Sequence, residues 1–290
     1  MTPTDEGVKN MGKHNMARSA VSIGRVGGLA VALGVGVGIV AMPWSASAAP
    51  DGSGPNISVS HDGDVKVVKG TATAVSSGRG STAVAHGFDS YAEATGTNNH
   101  ATANGFGSTA IAKGGSNNTA KASGIDSTAI AGGGTNNTAV ASGNFAQAYA
   151  GSSPEYDGRQ SNNTGNTAIA TGTHSIARAG IGDHNDGNFA KATDSGVASA
   201  GVGTNNDSNT ATASGPGSVA DSGFLVSGND NNTATATGGG GAIAGSFGND
   251  NDNNSASADG FGSYAYAGYG TDNLDGYTAD ATNGQSVHNP

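Results

Sequence analysis

Cysteine is absent from this 290-residue sequence, and aromatic residues make up only 5% of it. Without cysteine the chain has neither disulfides nor thiolate metal sites. The scarcity of aromatic side chains, together with a 34% hydrophobic fraction that is mainly alanine, argues against an ordinary globular core. Glycine is abundant, with 51 residues, so the chain either makes many tight turns or stays disordered.

Basic residues are also scarce. The chain has 12 Lys and Arg against 22 Asp and Glu, a net charge of −10, and residues 1–48 contain four of the basic and two of the acidic residues, so their removal leaves −12. A surface of this sign repels phosphate backbones and anionic lipids. We therefore expect no nucleic-acid partner and no membrane docking of the mature chain. Host or glycan surfaces, cations and a second copy of the chain remain as partners.

The amino-terminal segment has the pattern of an export signal. Basic residues precede an apolar run over residues 26–42, and Ala46, Ser47 and Ala48 follow it. This pattern predicts a signal peptide over residues 1–48, with cleavage between Ala48 and Ala49. The alternative is a retained membrane anchor. The segment resembles the leaders of exported actinobacterial proteins, which implies a secreted or cell-envelope location.

Internal repeats occupy most of the remaining chain. Residues 49–70 are predicted to form cap strands, with residues 57–60 and 65–68 on either side of a turn. From residue 71 to 285 alanine recurs at alternate positions, and residues 286–290 are predicted to be a tail. The spacing of Ala101, Ala120 and Ala139 marks coils of 19 residues, and later coils have 21 to 23.

Each coil contains two strand-like segments. One follows the pattern Asn-Thr-Ala-x-Ala-x-Gly, as in residues 118–124 and 137–143, and the other reads Ser-Thr-Ala-Ile-Ala in residues 108–112 and 127–131. Successive side chains of a strand point to opposite faces. The invariant alanines therefore face inward, and the varied residues between them face solvent. The pattern predicts an all-β chain, a parallel β-solenoid with a thin core lined by alanine; the alternative is a largely disordered low-complexity chain.

Two kinds of turn connect these strands. The first has the pattern Gly-x-Gly/Asp-Ser, and we expect its hydrophobic residues, Phe106, Ile125 and Phe261, to plug the corner of the coil. The second contains paired asparagines, such as Asn117-Asn118 and Asn136-Asn137. Because amide side chains stack in cross-β structures, we expect these asparagines to form ladders along the solenoid axis.

The repeats resemble the head region of YadA-like trimeric adhesins. The segments that carry the resemblance are residues 108–112 and 166–172, with the pattern Ser/Asn-x-Ala-x-Ala, and it extends over about residues 80–285. The resemblance implies a left-handed parallel β-roll and an adhesive role. Neither a heptad stalk nor a membrane barrel accompanies the repeats, so the resemblance is limited to the head region.

Catalytic constellations are not evident in the sequence. The histidines lack the spacing of zinc ligands, and Asp194-Ser195-Gly196 falls on the repeat pattern without a suitable histidine. We therefore expect no enzymatic activity and no cofactor.

Calcium is the one ligand that the sequence suggests. Clusters of oxygen donors favour hard cations, and such clusters occur at Asp250 and Asp252 and again at Asp272 and Asp275. The alternative is that these aspartates lie in solvated turns.

Two classes of function follow. The first is a structural or adhesive role of an exported, non-catalytic repeat protein. The second is an ice- or carbohydrate-binding face, suggested by outward threonines such as Thr210, Thr212 and Thr235. Tyr264, Tyr266 and Tyr269 are candidate contacts in a homo-oligomer.

Overall fold

The computed structural model describes residues 56–151 and 162–290, and every helix or strand in these ranges is a β-strand. The strands belong to two sheets, which we name sheet A and sheet B. Sheet A contains, in spatial order, β2 (Asp64–Lys69), β1 (Ile57–His61), β4 (Thr82–His86), β6 (His100–Asn104), β8 (Thr119–Ser123), β10 (Thr138–Ser142), β13 (Thr167–Thr171), β16 (Phe189–Thr193), β18 (Thr210–Ser214), β20 (Thr233–Thr237), β22 (Ser255–Asp259) and β24 (Thr278–Thr282). Sheet B contains β3 (Thr73–Ser77), β5 (Tyr91–Thr97), β7 (Thr109–Ser116), β9 (Thr128–Thr135), β11 (Gln147–Ala150), β14 (Ile176–Ala179), β17 (Val197–Thr204), β19 (Val219–Ser227), β21 (Gly241–Ser246), β23 (Tyr264–Tyr269) and β25 (Ser286–Asn289), with the short β12 (Asn163–Thr164) and β15 (Gly182–Asp183) beside β9 and β17.

The strands from β3 onward stack in parallel and in register. Ala139 of β10, for example, pairs with Ala120 of β8 on one side and with Ala168 of β13 on the other. The chain thus alternates between the sheets and rises by one strand with each coil. The result is a parallel β-solenoid of about 9 turns. This confirms the predicted fold and not the alternative of a largely disordered chain.

The hydrophobic core between the sheets consists of alanine alone. Ala120 and Ala139 are completely buried, and so are Ala110 and Ala129 on the opposite sheet. The methyl group is the largest aliphatic side chain that this narrow space holds, which explains why a poor strand former recurs in every strand. Each buried methyl contributes only about 0.8 kcal/mol, so the backbone ladders between coils supply much of the order.

Buried asparagines form two ladders parallel to the axis. In each, an amide oxygen accepts a hydrogen bond from the backbone N–H of the equivalent asparagine in the next coil, as Asn99 does from Asn118 at 2.8 Å. The first ladder contains Asn99, Asn118, Asn137, Asn166, Asn188, Asn209, Asn232 and Asn254. The second contains Asn163, Asn185, Asn206, Asn229 and Asn251. The predicted Asn ladders are confirmed, and the second is an addition that accompanies the longer coils.

Only one asparagine of each pair belongs to a ladder. Asn117 and Asn136 have positive φ values of 57° and 60°, a left-handed conformation that asparagine tolerates. Their partners Asn118 and Asn137 are fully buried. The first residue of a pair therefore makes the turn, and the second bonds along the axis.

The hydrophobic residues of the first turn do not plug the corner, and that expectation is wrong. Phe106, Ile125 and Phe261 are 53%, 44% and 90% exposed. The backbones of neighbouring coils approach so closely here that a Cβ on Gly105 would collide with the carbonyl oxygen of Gly124. Because backbone fills the inside of the corner, the large side chains point outward.

The two ends of the solenoid differ. At the first end β1 and β2 form an antiparallel hairpin, and β1 pairs with β4 in antiparallel orientation; these are the predicted cap strands. At the other end both Asn ladders stop at apolar residues, because Leu274 and Tyr277 donate to the last amide oxygens. Tyr277 and Val287 pack on the alanine core. Residues 286–290, predicted as a tail, contain β25, which pairs with β23.

The predicted signal peptide and its cleavage site at Ala48 and Ala49 lie outside the described residues. Within residues 56–151 and 162–290, no helix has the length and hydrophobicity needed to span a membrane.

Candidate functional surfaces

The outer face of sheet A is a long, regular surface of the solenoid. From β4 to β24 its strands are parallel and in register, and at about 4.8 Å per strand they extend over roughly 45 Å. The side chains between the buried alanines project from this face in three columns. In the first and third columns most of these side chains are Thr or Ser, with Phe189 an exception. From β4 to β16 the middle column is mainly aliphatic or basic, with Val84, Lys121, Val140, Ile169 and Lys191. The face is therefore mainly polar and uncharged.

One part of this face carries hydroxyl groups at nearly every outward position. We call it the hydroxyl block; it consists of Thr210, Thr212 and Ser214 on β18, Thr233, Thr235 and Thr237 on β20, and Ser255 and Ser257 on β22. Thr212 lies beside Thr235, and Thr235 beside Ser257. Neighbouring hydroxyls are about 4.8 Å apart across strands and about 6.7 Å apart along a strand. The block is a two-dimensional lattice of hydroxyl groups with one carboxylate, Asp259, at its corner.

The longer coils carry a third ladder, built from aspartate. The residues recur in the pattern Asn-Asp-x-Asn between the two Asn ladders, and each carboxylate accepts a hydrogen bond from the preceding coil. Asp207 accepts from the backbone N–H of Asp186 at 2.7 Å, and Asp230 accepts from that of Asp207 at 2.8 Å. Burial raises the pKa of Asp230, and the charges of its aspartate neighbours act in the same direction. The negative charges of these carboxylates therefore repel one another along the ladder.

The calcium candidates lie in or beside this aspartate ladder, and we call the region the acidic corner. Asp252 accepts a hydrogen bond from the backbone N–H of Asp230 at 2.7 Å, Asp275 from that of Asp252 at 2.9 Å, and Asp272 from that of Asn249 at 2.7 Å. Asp250 has a positive φ of 54° and lies in a turn. Within the described ranges no group of three or more His, Cys, Asp or Glu is placed to hold a metal ion. This arrangement favours the alternative, solvated turns, which predicts no effect of calcium on stability.

Sheet B carries a second apolar cluster on its outer side. Ile130, Tyr149, Ile181 and Val202 pack together and are 3–8% exposed. The chain reaches this position because Gly180 and Gly201, with φ values of 59° and 60°, turn it after the alanine pair. The sequence analysis did not predict this cluster, although the glycine that follows Ala179 and Ala200 indicates the turn that forms it.

A partly buried carboxylate lies on the same side of sheet B. Asp221 of β19 is in register with Ser199 of β17 and Ile243 of β21. Burial raises the pKa of Asp221 to about 6, partly offset by a hydrogen bond with Ser199 and by the charge of Arg178. This aspartate titrates closer to neutral pH than an ordinary one.

Aromatic contacts continue the apolar cluster toward the last coil. Phe247 lies 5.3 Å from Tyr269, and Tyr269 lies 5.3 Å from Tyr266 and 6.0 Å from His288, measured between ring centroids. Of the three tyrosines predicted as oligomer contacts, Tyr266 and Tyr269 thus contact each other, whereas Tyr264 is 46% exposed.

The histidines and serines that were catalytic candidates lie in turns and strands of the solenoid. His86 Nδ1 is 3.1 Å from the amide oxygen of Asn104 in the next coil. The hydroxyl of Ser195 donates to the carbonyl oxygen of Thr173 at 2.7 Å. Both contacts link one coil to the next.

Comparison of the chain with protein-family models, with curated proteins and with solved structures finds no match. The resemblance to YadA-like adhesin heads and to actinobacterial leaders thus has no support from a family match. The established feature of this chain is its fold, a parallel β-solenoid built from repeats.

Proposed function

We propose that the protein is an exported, non-catalytic repeat protein with a structural or adhesive role at or near the cell envelope. The observation that carries this proposal is the outer face of sheet A, where threonine and serine hold most positions of the first and third outward columns in register from β4 to β24. A long periodic surface suits a long periodic ligand, because each coil adds one similar contact and the contacts act together.

Neutral polysaccharide is the partner class that this face fits best. Hydroxyl groups both donate and accept hydrogen bonds, which matches the hydroxyls of a glycan chain. The net charge of −10 disfavours teichoic acids, nucleic acids and anionic lipids. Export, as predicted from residues 1–48, would place the face where such glycans occur.

The proposal is tested by retention of the protein on isolated cell-wall polysaccharide. The double variant Thr212→Lys/Thr235→Lys places two charges in the middle of the hydroxyl block, and we expect at least a tenfold loss of retention. The matched control is Thr109→Lys/Thr128→Lys, which makes the same change at paired positions on sheet B. Equal retention of all three proteins, or no retention of the parent on any glycan, would contradict the proposal.

Ice binding is the second candidate, and the hydroxyl block favours it. Thr210 and Thr233, and Thr212 and Thr235, form adjacent rows with methyl and hydroxyl groups at a constant spacing. Such a lattice can order water in a repeating layer. Thermal hysteresis that Thr235→Lys abolishes would support this candidate, and a melting and freezing point that coincide at millimolar protein would exclude it.

A further inference from the structure

An exposed apolar stripe follows the first corner of the solenoid. Phe88, Phe106, Ile125 and Phe145 come from four successive coils and are 47%, 53%, 44% and 44% exposed. Phe88 and Phe106 stack with centroids 5.3 Å apart and planes 13° apart, and Phe145 stacks in the same way on His174 at 5.1 Å. We call Phe88, Phe106, Ile125 and Phe145 the corner stripe.

The corner stripe is held rigidly. The carbonyl oxygen of Phe88 accepts from the N–H of Gly107 at 2.9 Å, and that of Ile125 accepts from the N–H of Phe145 at 2.8 Å. Phe88, Phe106 and Ile125 consequently occupy equivalent positions at the spacing of the coils, about 4.8 Å. Phe145 lies one position later in its coil, where Gly107 and Asp126 lie in theirs. A rigid apolar row needs little ordering on association, which lowers the entropic cost of docking.

Charge is distributed unevenly along the solenoid. Residues 56–151 contain five basic and five acidic side chains, whereas residues 162–290 contain two basic ones, Arg178 and Lys191, and twelve aspartates. The corner stripe lies entirely in the first, neutral part. The beginnings and ends of the strands beside it carry uncharged residues such as Thr109, Ser123 and Gln147.

We propose that the corner stripe is the interface of a homodimer in which two copies of this chain associate in antiparallel orientation through their neutral parts. A second copy fits the stripe because it carries an apolar row with the same repeat. The antiparallel arrangement follows from charge: side-by-side parallel copies would bring their acidic parts together, whereas antiparallel copies direct them away from each other.

Two aspartates within the corner support the same orientation. Asp89 and Asp126 follow Phe88 and Ile125, and both are exposed. In a parallel pair each would face its own counterpart. A twofold axis between Phe106 and Ile125 instead places each aspartate opposite a phenylalanine-bearing coil, and it places the coil of Phe88 in one copy opposite the coil of Phe145 in the other.

The size of the stripe sets the expected affinity. Four side chains that are about half exposed supply roughly 300–400 Å² per copy, or about 600–800 Å² in total, which is below the size of stable complexes and within the range of weak, transient association. We therefore expect a reversible dimer with a dissociation constant on the order of 10–100 µM.

Sedimentation velocity on the purified protein from about 5 to 500 µM tests the proposal. We expect the parent to dimerise over this range and the double variant Phe106→Ser/Ile125→Ser to stay monomeric. The control is Phe261→Ser, since Phe261 has the same Gly-Phe-Gly-Ser context as Phe106 and is 90% exposed, but lies in the acidic part. Circular dichroism of each variant establishes that it is folded.

Orientation is measured with a nitroxide on Thr212→Cys, because the chain has no other cysteine. Antiparallel pairing predicts a separation between labels of about 40–50 Å, and parallel pairing about 20–30 Å. A monomer at all concentrations, a dimer that the stripe variant leaves intact, a short label distance, or association with neutral lipid vesicles in place of self-association would each overturn the proposal.

Discussion

The amide oxygen of Asn118 accepts a hydrogen bond from the backbone N–H of Asn137 at 3.0 Å, one coil further along the axis. The amide nitrogen of Asn118 donates to the carbonyl oxygens of Gly114 at 2.7 Å and Gly134 at 2.9 Å. One buried side chain thus satisfies three backbone groups at a bend where the strand ladder is interrupted. Since buried polar groups are costly when left unpaired, this asparagine is required in the inner coils, from Asn99 to Asn254.

Replacement of a ladder asparagine is expected to destabilise the solenoid strongly. Asn209→Ala removes the acceptor of the Asn232 N–H and the donor to the Asn229 carbonyl oxygen. Two buried groups without partners cost about 2–6 kcal/mol in total, measured as a loss in the free energy of unfolding by urea. The control is Asn231→Gly, at a turn position with a φ of 56°, where glycine should change stability by less than about 1 kcal/mol. Equal effects of the two substitutions would contradict the assignment of roles.

Enlargement of a core methyl group is also expected to be poorly tolerated. Ala211 is completely buried between the sheets, so Ala211→Leu must push the two sheets apart at a strand that is paired in register on both sides. We expect a loss of about 3 kcal/mol or more, visible as a lower urea midpoint. The next residue provides the control: Thr212→Leu places the same side chain on the outer face, and we expect a change of less than about 1 kcal/mol. A midpoint for Ala211→Leu equal to that of the parent would show that the core is wider than described.

Stability should depend on the protonation of Asp221. The folded-state pKa of about 6 lies above the ordinary value of 3.8, so the folded chain binds this proton more tightly than the unfolded chain does. Its contribution to stability is present below pH 3.8 and is lost as the pH rises through about 6. Two pKa units correspond to at most about 3 kcal/mol.

The variant Asp221→Asn should therefore be more stable than the parent at pH 8, and the difference should vanish near pH 4. Thermal unfolding of both proteins across this range measures it. Asp280→Asn, on the exposed outer side of β24, serves as the control and should follow the parent. A constant difference between Asp221→Asn and the parent at all pH values would contradict the burial of this carboxylate.

Calcium is expected to leave thermal stability unchanged at millimolar concentration. The carboxylates of Asp252, Asp272 and Asp275 each already accept a hydrogen bond from a backbone N–H. Equivalent aspartates belong to different coils and lie in a straight row along the solenoid axis. A rise in the unfolding temperature that Asp252→Asn removes would instead establish a calcium site in the acidic corner.

Local composition was sufficient to predict the fold class. The alternation of alanine in segments such as residues 137–143 indicated strands with a buried face, and the period of about 20 residues indicated coils. The Asn ladders were predictable for the same reason, because Asn118 and Asn137 recur at the coil period. The second ladder and the aspartate ladder were missed, although Asn-Asp-x-Asn recurs at residues 185–188 and 206–209.

The direction of side chains at the corners was not predictable in this way. Phe106 and Ile125 are hydrophobic and follow glycine, which suggested a plug, yet both point to solvent. The sequence by itself determined the strands, the turns and the inward alanines, because these depend on residues near each other along the chain. Only the tertiary structure decided which asparagine of a pair is buried and on which side of the corner a phenylalanine lies. These depend on the backbones of adjacent coils, about 20 residues apart, which approach until the space between Gly105 and Gly124 admits no side chain.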